Sequence, residues 1–168
     1  MVIKHIDKGL SHLDDYYETP QWLFDGVVDK TKLNFDLDLC ASDSNTKCDS
    51  FIDEEMDVLI RDGRNGYDHW KYHDINDAIW CNPPRSKNGK FVNFVYDVLW
   101  SKYNINTVML LCWNDLGNKY GKKLLPHIIN GDFKVVDNYG KIKFNKNGIE
   151  SEFVSRLTYF SLWMKSKP

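Results

Sequence analysis

The stretch that organises the predicted fold is Ala78-Ile79-Trp80-Cys81-Asn82-Pro83-Pro84-Arg85-Ser86. Its four apolar residues predict a short buried strand, and the polar residue and two prolines that follow predict a rigid loop at a sheet edge. Because proline fixes φ and lacks an N–H group, the loop holds backbone carbonyls and the amide of Asn82 in fixed places. It suits a substrate gripped by hydrogen-bond acceptors, such as the exocyclic amino group of a flipped base. A structural turn without chemistry is the alternative.

A helix is predicted near the start of the chain. Thr19 before Pro20 is an ordinary helix start, with Thr19 as N-cap and Pro20 as the first helical residue. The helix then covers Gln21–Lys30. Its inward-facing residues are predicted to be Trp22, Leu23, Phe24 and Val27.

The segment Phe35–Ser42 alternates apolar and acidic residues and then turns into small residues, which predicts a strand and a tight loop. An acidic residue at the carboxyl end of such a strand is typical of nucleotide sites in open α/β sheets. The segment has no Gly-x-Gly, which argues against a dinucleotide or triphosphate ligand. S-adenosylmethionine remains possible, because it has no phosphate and is cationic at its sulfur and its amine. An exposed strand end with a solvated Asp is the alternative.

The remaining segments complete an α/β pattern. Apolar residues at helical spacing predict a helix within Lys90–Lys102, and the continuous apolar run Thr107–Trp113 predicts a central strand. Further strands are predicted at Phe133–Val136, Lys141–Phe144 and Leu157–Met164, with a turn at Asn147-Gly148. We therefore expect one domain over residues 1–168, with a mostly parallel sheet that ends in an antiparallel hairpin and no separate target-recognition domain.

The composition is that of a globular protein, with 42% hydrophobic and 27% charged residues. No apolar run is long enough to span a membrane, and the first residues lack a signal sequence. The four cysteines form no Cys-x-x-Cys pair, which favours free thiols in a reducing cytoplasm. His69 and His73 are four residues apart, but the surrounding sequence favours a loop, so no metal site is predicted.

Charge is divided unevenly along the chain. Residues 1–80 carry 8 Lys and Arg against 18 Asp and Glu, a balance of −10, and residues 81–168 carry 14 against 6, a balance of +8. An acidic half and a basic half suit a protein that holds a cation on one side and a polyanion on the other. Two solvated surfaces that merely differ are the alternative.

Several motifs occur together in a specific order and spacing. They are Glu18-Thr19-Pro20 with Trp22-Leu23-Phe24, Leu37-Asp38-Leu39-Cys40-Ala41-Ser42, Asp57-Val58-Leu59 followed by Trp70, and Asn82-Pro83-Pro84. The strand at Val108–Cys112, the segment Lys141–Phe144 and Ser155 also fit. With these motifs the chain resembles the phage-type DNA N6-adenine methyltransferases, the small Dam-like enzymes of bacteriophages and prophages.

The resemblance implies a Rossmann-like fold that uses S-adenosylmethionine and no metal, and that methylates adenine N6 in DNA. Asn82, Pro83 and Pro84 would hold the target base. The residues that it implies around the cofactor are Thr19, Pro20, Asp38, Cys40, Ala41, Ser42 and Asp57. We expect the protein to act in the cytoplasm, as a monomer or a homodimer.

Arg85 departs from the family pattern, which has an aromatic residue that stacks on the flipped base. Three outcomes are open: Arg85 stacks through its guanidinium plane, another aromatic residue stacks instead, or activity is reduced or lost. The other candidates for stacking are Trp80, Phe91 and Trp113.

Basic residues follow two of the predicted strands and could contact DNA phosphates. They are Arg85, Lys87, Lys90, Lys119, Lys122 and Lys123. A solvated charged face is the alternative.

Two other functions remain open. One is a DNA-binding protein that keeps the fold and has weak or no activity, and the other is an amino methyltransferase that acts on cytosine N4, on RNA or on a protein amide.

Overall fold

A mixed six-stranded sheet lies at the centre of the computed structural model, which describes residues 17–54, 56, 58–59 and 69–168. Its strands are β1 (Phe35–Asp38), β2 (Ser50–Phe51), β3 (Ala78–Cys81), β4 (Asn106–Cys112), β5 (Phe133–Lys146) and β6 (Ile149–Met164), in the spatial order β2-β1-β3-β4-β6-β5. β1 is parallel to β2 and β3, β3 is parallel to β4, and β6 is antiparallel to β4 and β5. The predicted α/β class is confirmed, with a mixed sheet in which four parallel strands adjoin a C-terminal antiparallel hairpin.

Helices cover both faces of the parallel part of the sheet. They are α1 (Gln21–Thr31), α2 (Asn88–Phe94, continued by a π-helix at Val95–Trp100) and α3 (Leu125–Asn130). All four residues of β3 are buried, and they alternate between the core on the α1 side, with Trp80, and the core on the α2 side, with Ile79. Burial on both faces explains why β3 and most of β4 are continuous apolar runs in the sequence.

The start of α1 differs from the prediction. The helix begins at Gln21, Pro20 is the capping residue, and no side chain caps the helix. The carbonyl of Pro20 accepts the N–H groups of Leu23 and Phe24 at 3.1 and 3.4 Å, so Thr19 is not the N-cap. Trp22 was wrongly predicted to face inward; it is 56% exposed, and its ring meets the edge of a tyrosine instead of the core.

The C-terminal hairpin consists of two long strands, where separate short strands were predicted. β5 contains both predicted segments, and its register shifts between Val135 and Asp137 and again between Asn138 and Gly140. These irregularities accommodate the polar residues that interrupt the apolar pattern in the sequence. The predicted turn at Asn147-Gly148 is confirmed, because both residues have positive φ, 54° and 76°, and connect β5 to β6 directly.

Glu18 ties the N-terminal segment to the far end of this hairpin. Glu18 and Asn145 exchange two backbone hydrogen bonds of 2.9 and 3.0 Å, and the Glu18 carboxylate accepts the N–H of Gly148 at 2.9 Å. Tyr17, Glu18 and Thr19 therefore lie beside the hairpin, and both segments line the cavity described below. None of the helices in the described part of the chain is long and apolar enough to cross a membrane.

Candidate functional site

A cavity of about 540 Å³ opens at the carboxyl ends of β1, β3 and β4. Tyr17, Glu18 and Thr19 and residues of the C-terminal hairpin line its other side. Its lining residues are Tyr17, Glu18, Thr19, Asp38, Cys40, Asn45, Lys47, Trp80, Asn82, Pro83, Pro84, Arg85, Asn88, Leu110, Cys112, Phe144, Val154, Ser155, Arg156, Leu157 and Tyr159. This volume lies in the range of ordinary small-molecule sites, about 300–1,000 Å³.

The loop after β3 contributes all four residues that were predicted to be catalytic, Asn82, Pro83, Pro84 and Arg85. β3 pairs with both β1 and β4, so this loop starts from the centre of the parallel strands. No hydrogen bond from another described side chain occupies the Asn82 amide. Its oxygen is therefore available to a ligand.

Arg85 is held by a buried carboxylate. Its Nη1 donates to Asp115 Oδ2 at 2.7 Å, and Asp115 is 2% exposed. Burial opposes the charge of Arg85, but the hydrogen bond to Asp115 and the charge of that carboxylate favour it, and the pKa of Arg85 lies above its ordinary value. The guanidinium is thus a fixed cation in the cavity wall.

Asp38 is a buried carboxylate on the β1 side of the cavity, 3% exposed. Its two oxygens accept the N–H groups of Lys47 at 3.0 Å and Cys40 at 3.3 Å. Burial raises the pKa of Asp38 from 3.8 to about 6, although these hydrogen bonds and the charge of Lys47 favour the ionised form. A cationic ligand in the cavity would relieve part of this desolvation.

The other residues predicted to bind the cofactor divide into two groups. Thr19 and Cys40 line the cavity. Pro20, Ala41 and Ser42 are not among the lining residues; the N–H of Ala41 donates to the Ile52 carbonyl at 3.0 Å and so shapes the loop after β1. The N–H of Ser42 donates to the side chain of Asn45 at 2.8 Å. Asp57 lies outside the described residues.

The three aromatic residues named as replacements for a stacking ring pack against other rings or belong to the core. Trp80 is fully buried and packs edge-on against Phe24 and Phe35, Phe91 belongs to the core on the α2 side, and Trp113 stacks on Phe160 with ring centroids 4.1 Å apart. Of the three, only Trp80 reaches the cavity. The other aromatic rings in the cavity wall come from Tyr17, Phe144 and Tyr159.

Of the residues predicted to bind DNA, only Arg85 lines the cavity. Lys90, Lys119 and Lys122 are exposed. Lys87 is half-buried. Lys123 donates to Asp97 at 3.2 Å and lies over the Tyr96 ring, so it has a partner within the chain. Among the residues that the structure describes, no group of three or more His, Cys, Asp and Glu side chains could hold a metal ion.

The sequence did not identify several functional candidates. Asn45 and Lys47 complete the β1 side of the cavity, and Asn88 and Tyr159 complete the β3 and β4 side. Asp115, which holds Arg85, follows the long apolar run of β4. Its position just after a predicted central strand is the one signal that could have singled it out.

Comparison with known proteins supplies the context for this cavity. The family model described as DNA N-6-adenine-methyltransferase (Dam) matches residues 8–125. The chain is 30% identical over 132 residues to a curated protein named DNA N-6-adenine-methyltransferase from Haemophilus phage HP1; the match covers 74% of this chain and 68% of the relative. No solved structure matches the fold significantly.

Proposed function

This chain belongs to the DNA N-6-adenine-methyltransferase (Dam) family, and we propose that it transfers a methyl group from S-adenosylmethionine to adenine N6 in DNA. One observation carries the proposal beyond the family name. The carboxyl end of β1, with Asp38, and the loop after β3, with Asn82, line the same cavity. A cofactor on one side and a base on the other would meet there, which is the arrangement that a direct transfer between two bound reactants requires.

The residues on the β1 side fit the cofactor. The pKa of Asp38 is raised because burial of its charge is only partly offset by its hydrogen bonds. Such a carboxylate suits a cationic or hydroxyl-bearing ligand. Thr19 and Cys40 line the cavity beside it, and Ala41 and Ser42 would support it by shaping the loop. When bound, S-adenosylmethionine supplies an electrophilic methyl group on its sulfonium sulfur.

The residues on the β3 side fit an adenine. The amino nitrogen of adenine is a weak nucleophile, because its lone pair is delocalised into the ring. Asn82 Oδ1 and the carbonyl of Pro83 would each accept one of its N–H hydrogens and favour a more tetrahedral nitrogen. Pro83 and Pro84 keep these acceptors in place because proline restricts φ. The surplus proton leaves the amino group after methyl transfer.

The fold supports the finer assignment to a Rossmann-like methyltransferase domain. In open α/β sheets, ligands bind outside the carboxyl ends of the parallel strands, and the cavity lies at that edge of β1, β3 and β4. We further propose that residues 1–168 act as one domain on DNA in the cytoplasm. Phosphates of the DNA would contact Lys90, Lys119 and Lys122, which are exposed on loops and at the start of α2.

The test is transfer of a labelled methyl group to unmethylated DNA, followed by separation of the nucleosides. Wild-type protein should produce N6-methyladenine, and Asn82→Ala should lower the rate at least about 100-fold, because one acceptor of the amino group is lost. Asn93→Ala is the matched control, since Asn93 is an exposed residue of α2 outside the cavity lining.

Two results would overturn the proposal. Labelled N4-methylcytosine would mean that the loop holds a different base. Absence of transfer, with DNA binding intact and no binding of S-adenosylmethionine, would identify a DNA-binding protein without this activity.

A further inference from the structure

Asp115 is the centre of a hydrogen-bond network that joins the loops after β3 and β4. Its Oδ2 accepts from Arg85 Nη1 at 2.7 Å and from Asn88 Nδ2 at 2.5 Å. Its Oδ1 accepts the hydroxyl of Tyr120 at 3.0 Å, and the backbone N–H of Cys112 donates to Oδ2 at 3.3 Å. A carboxylate that is 2% exposed is tolerated only when it is paired and hydrogen-bonded in this way.

Two glycines allow close packing around the network. A Cβ on Gly121 would lie 1.9 Å from the backbone oxygen of Asp115, and a Cβ on Gly89 would lie 2.6 Å from the ring of Tyr120. Both distances are far below van der Waals contact. The first approach lies within the loop after β4, and the second joins this loop to the start of α2, so the chain packs closely around Asp115 and its hydrogen-bond partners.

Asn88 has an unused acceptor. It lines the cavity and is 5% exposed. Because a carboxylate can only accept, the amide nitrogen of Asn88 must face Asp115, and this fixes the orientation of the whole amide. Asn88 Oδ1 is then buried without a hydrogen-bond partner in the described part of the chain. Buried carbonyl oxygens in this state are rare, and a ligand N–H or O–H in the cavity would satisfy it.

We propose that Asp115 is a positioning residue that fixes the guanidinium of Arg85 and the amide of Asn88 as one wall of the nucleobase site beside Asn82. This inference rests on the proposed function. Asp115 is not among the cavity-lining residues, so it acts through its two neighbours. The Arg85 guanidinium offers a planar, cationic surface on which a base can stack, and Asn88 Oδ1 offers an acceptor to a donor group of the bound nucleotide. A fixed guanidinium would then take the place of the missing aromatic ring.

The test is a double-mutant cycle of Asp115→Asn and Arg85→Ala. Asp115→Asn keeps the shape of the side chain but removes the charge that orients the guanidinium. We expect each single variant to lower kcat/KM for DNA by about 10- to 100-fold, while the affinity for S-adenosylmethionine changes less than about twofold. The kcat/KM of the double variant should be within about threefold of that of the less active single variant, because both changes remove the same interaction. Asp29→Asn is the control, since Asp29 lies on the exposed end of α1.

A second readout separates this inference from the proposed function. A single-stranded oligonucleotide that contains 2-aminopurine in place of adenine reports base binding by its fluorescence and requires no methyl transfer. We expect Asp115→Asn and Arg85→Ala to weaken its binding equally. If wild-type protein transfers no methyl group, the proposed function fails, and equal weakening in this assay would still support the wall formed by Arg85 and Asn88.

Three outcomes would overturn the inference. One is wild-type activity and wild-type 2-aminopurine binding in a folded Asp115→Asn variant. Another is independent effects, in which the fold losses of the two single variants multiply in the double variant. The third is a parallel loss of thermal stability and of S-adenosylmethionine affinity, which would indicate a general structural role for Asp115.

Discussion

The substitution Asp38→Asn should change how the stability of the protein depends on pH. Burial raises the pKa of Asp38 from 3.8 to about 6, so the folded protein binds this proton more tightly than the unfolded chain does. Stability from this group is therefore fully present below pH 3.8 and is lost as the pH rises to about 6. The full effect is about 3 kcal/mol, of which about 2 kcal/mol falls between pH 4.5 and pH 7.

Urea denaturation at these two pH values measures the effect. The free energy of unfolding of the wild-type protein should fall by about 2 kcal/mol relative to that of Asp38→Asn as the pH rises from 4.5 to 7. Placing an amide where two N–H groups now donate to the carboxylate has a cost that does not depend on pH. This cost cancels because only the change in free energy between the two pH values is compared. Asp29→Asn, at an exposed position, should follow the wild-type curve.

The same variant connects stability to the cofactor. If Asp38 faces a cationic ligand, S-adenosylmethionine should raise the melting temperature of the wild-type protein more at pH 7 than at pH 5, and this difference should vanish in Asp38→Asn. Parallel unfolding curves for wild type and Asp38→Asn across this pH range would refute the reasoning, because they would mean that the carboxyl is not buried in its charged form.

Two further predictions concern the packing of the site and the binding of DNA. Gly121→Ala should lower the free energy of unfolding by at least about 2 kcal/mol in urea denaturation, because its Cβ would overlap the Asp115 backbone, whereas Gly117→Ala, with open space around it, should change it by less than about 1 kcal/mol. Equal effects would contradict the close packing within the loop after β4. Lys122→Ala should weaken DNA binding similarly for all sequences. In fluorescence titrations, the slope of log K against log salt concentration should fall by the equivalent of about one phosphate contact. The exposed Lys134 of β5 is the control position. An unchanged salt slope would place the DNA elsewhere.

Local patterns in the sequence were sufficient to predict much of the sheet. The apolar runs of β3 and β4 and the Asn147-Gly148 turn depend on neighbours in the chain, so they were recognisable without the structure. The start of α1 was predicted one residue early. Trp22 was placed inward because a helical pattern does not indicate which apolar residue faces solvent. The long β5 was missed because its bulges interrupt the alternation that identifies a strand.

The predicted site shows a similar division. Asn82 and Asp38 were recognisable because each ends or follows a buried strand, and the structure brings both to one cavity. Asp38 is held by Cys40 and Lys47, which lie nearby in the chain, whereas other contacts around the cavity join distant segments. Asp115 reaches Arg85 across 30 residues of sequence, and Glu18 reaches Gly148 across 130. Such contacts depend on how the loops pack in three dimensions, and a single sequence carries no local signal for them.

The most direct test of the account is a crystal structure of the chain with S-adenosylhomocysteine and a short duplex that contains a target adenine. The measurement is the distance from adenine N6 to Asn82 Oδ1 and to the Pro83 carbonyl. We predict a flipped adenine with both distances near 3 Å, and the cofactor product beside Asp38 in the same cavity. An adenine that remains stacked in the duplex, or a cofactor product bound away from Asp38, would contradict it.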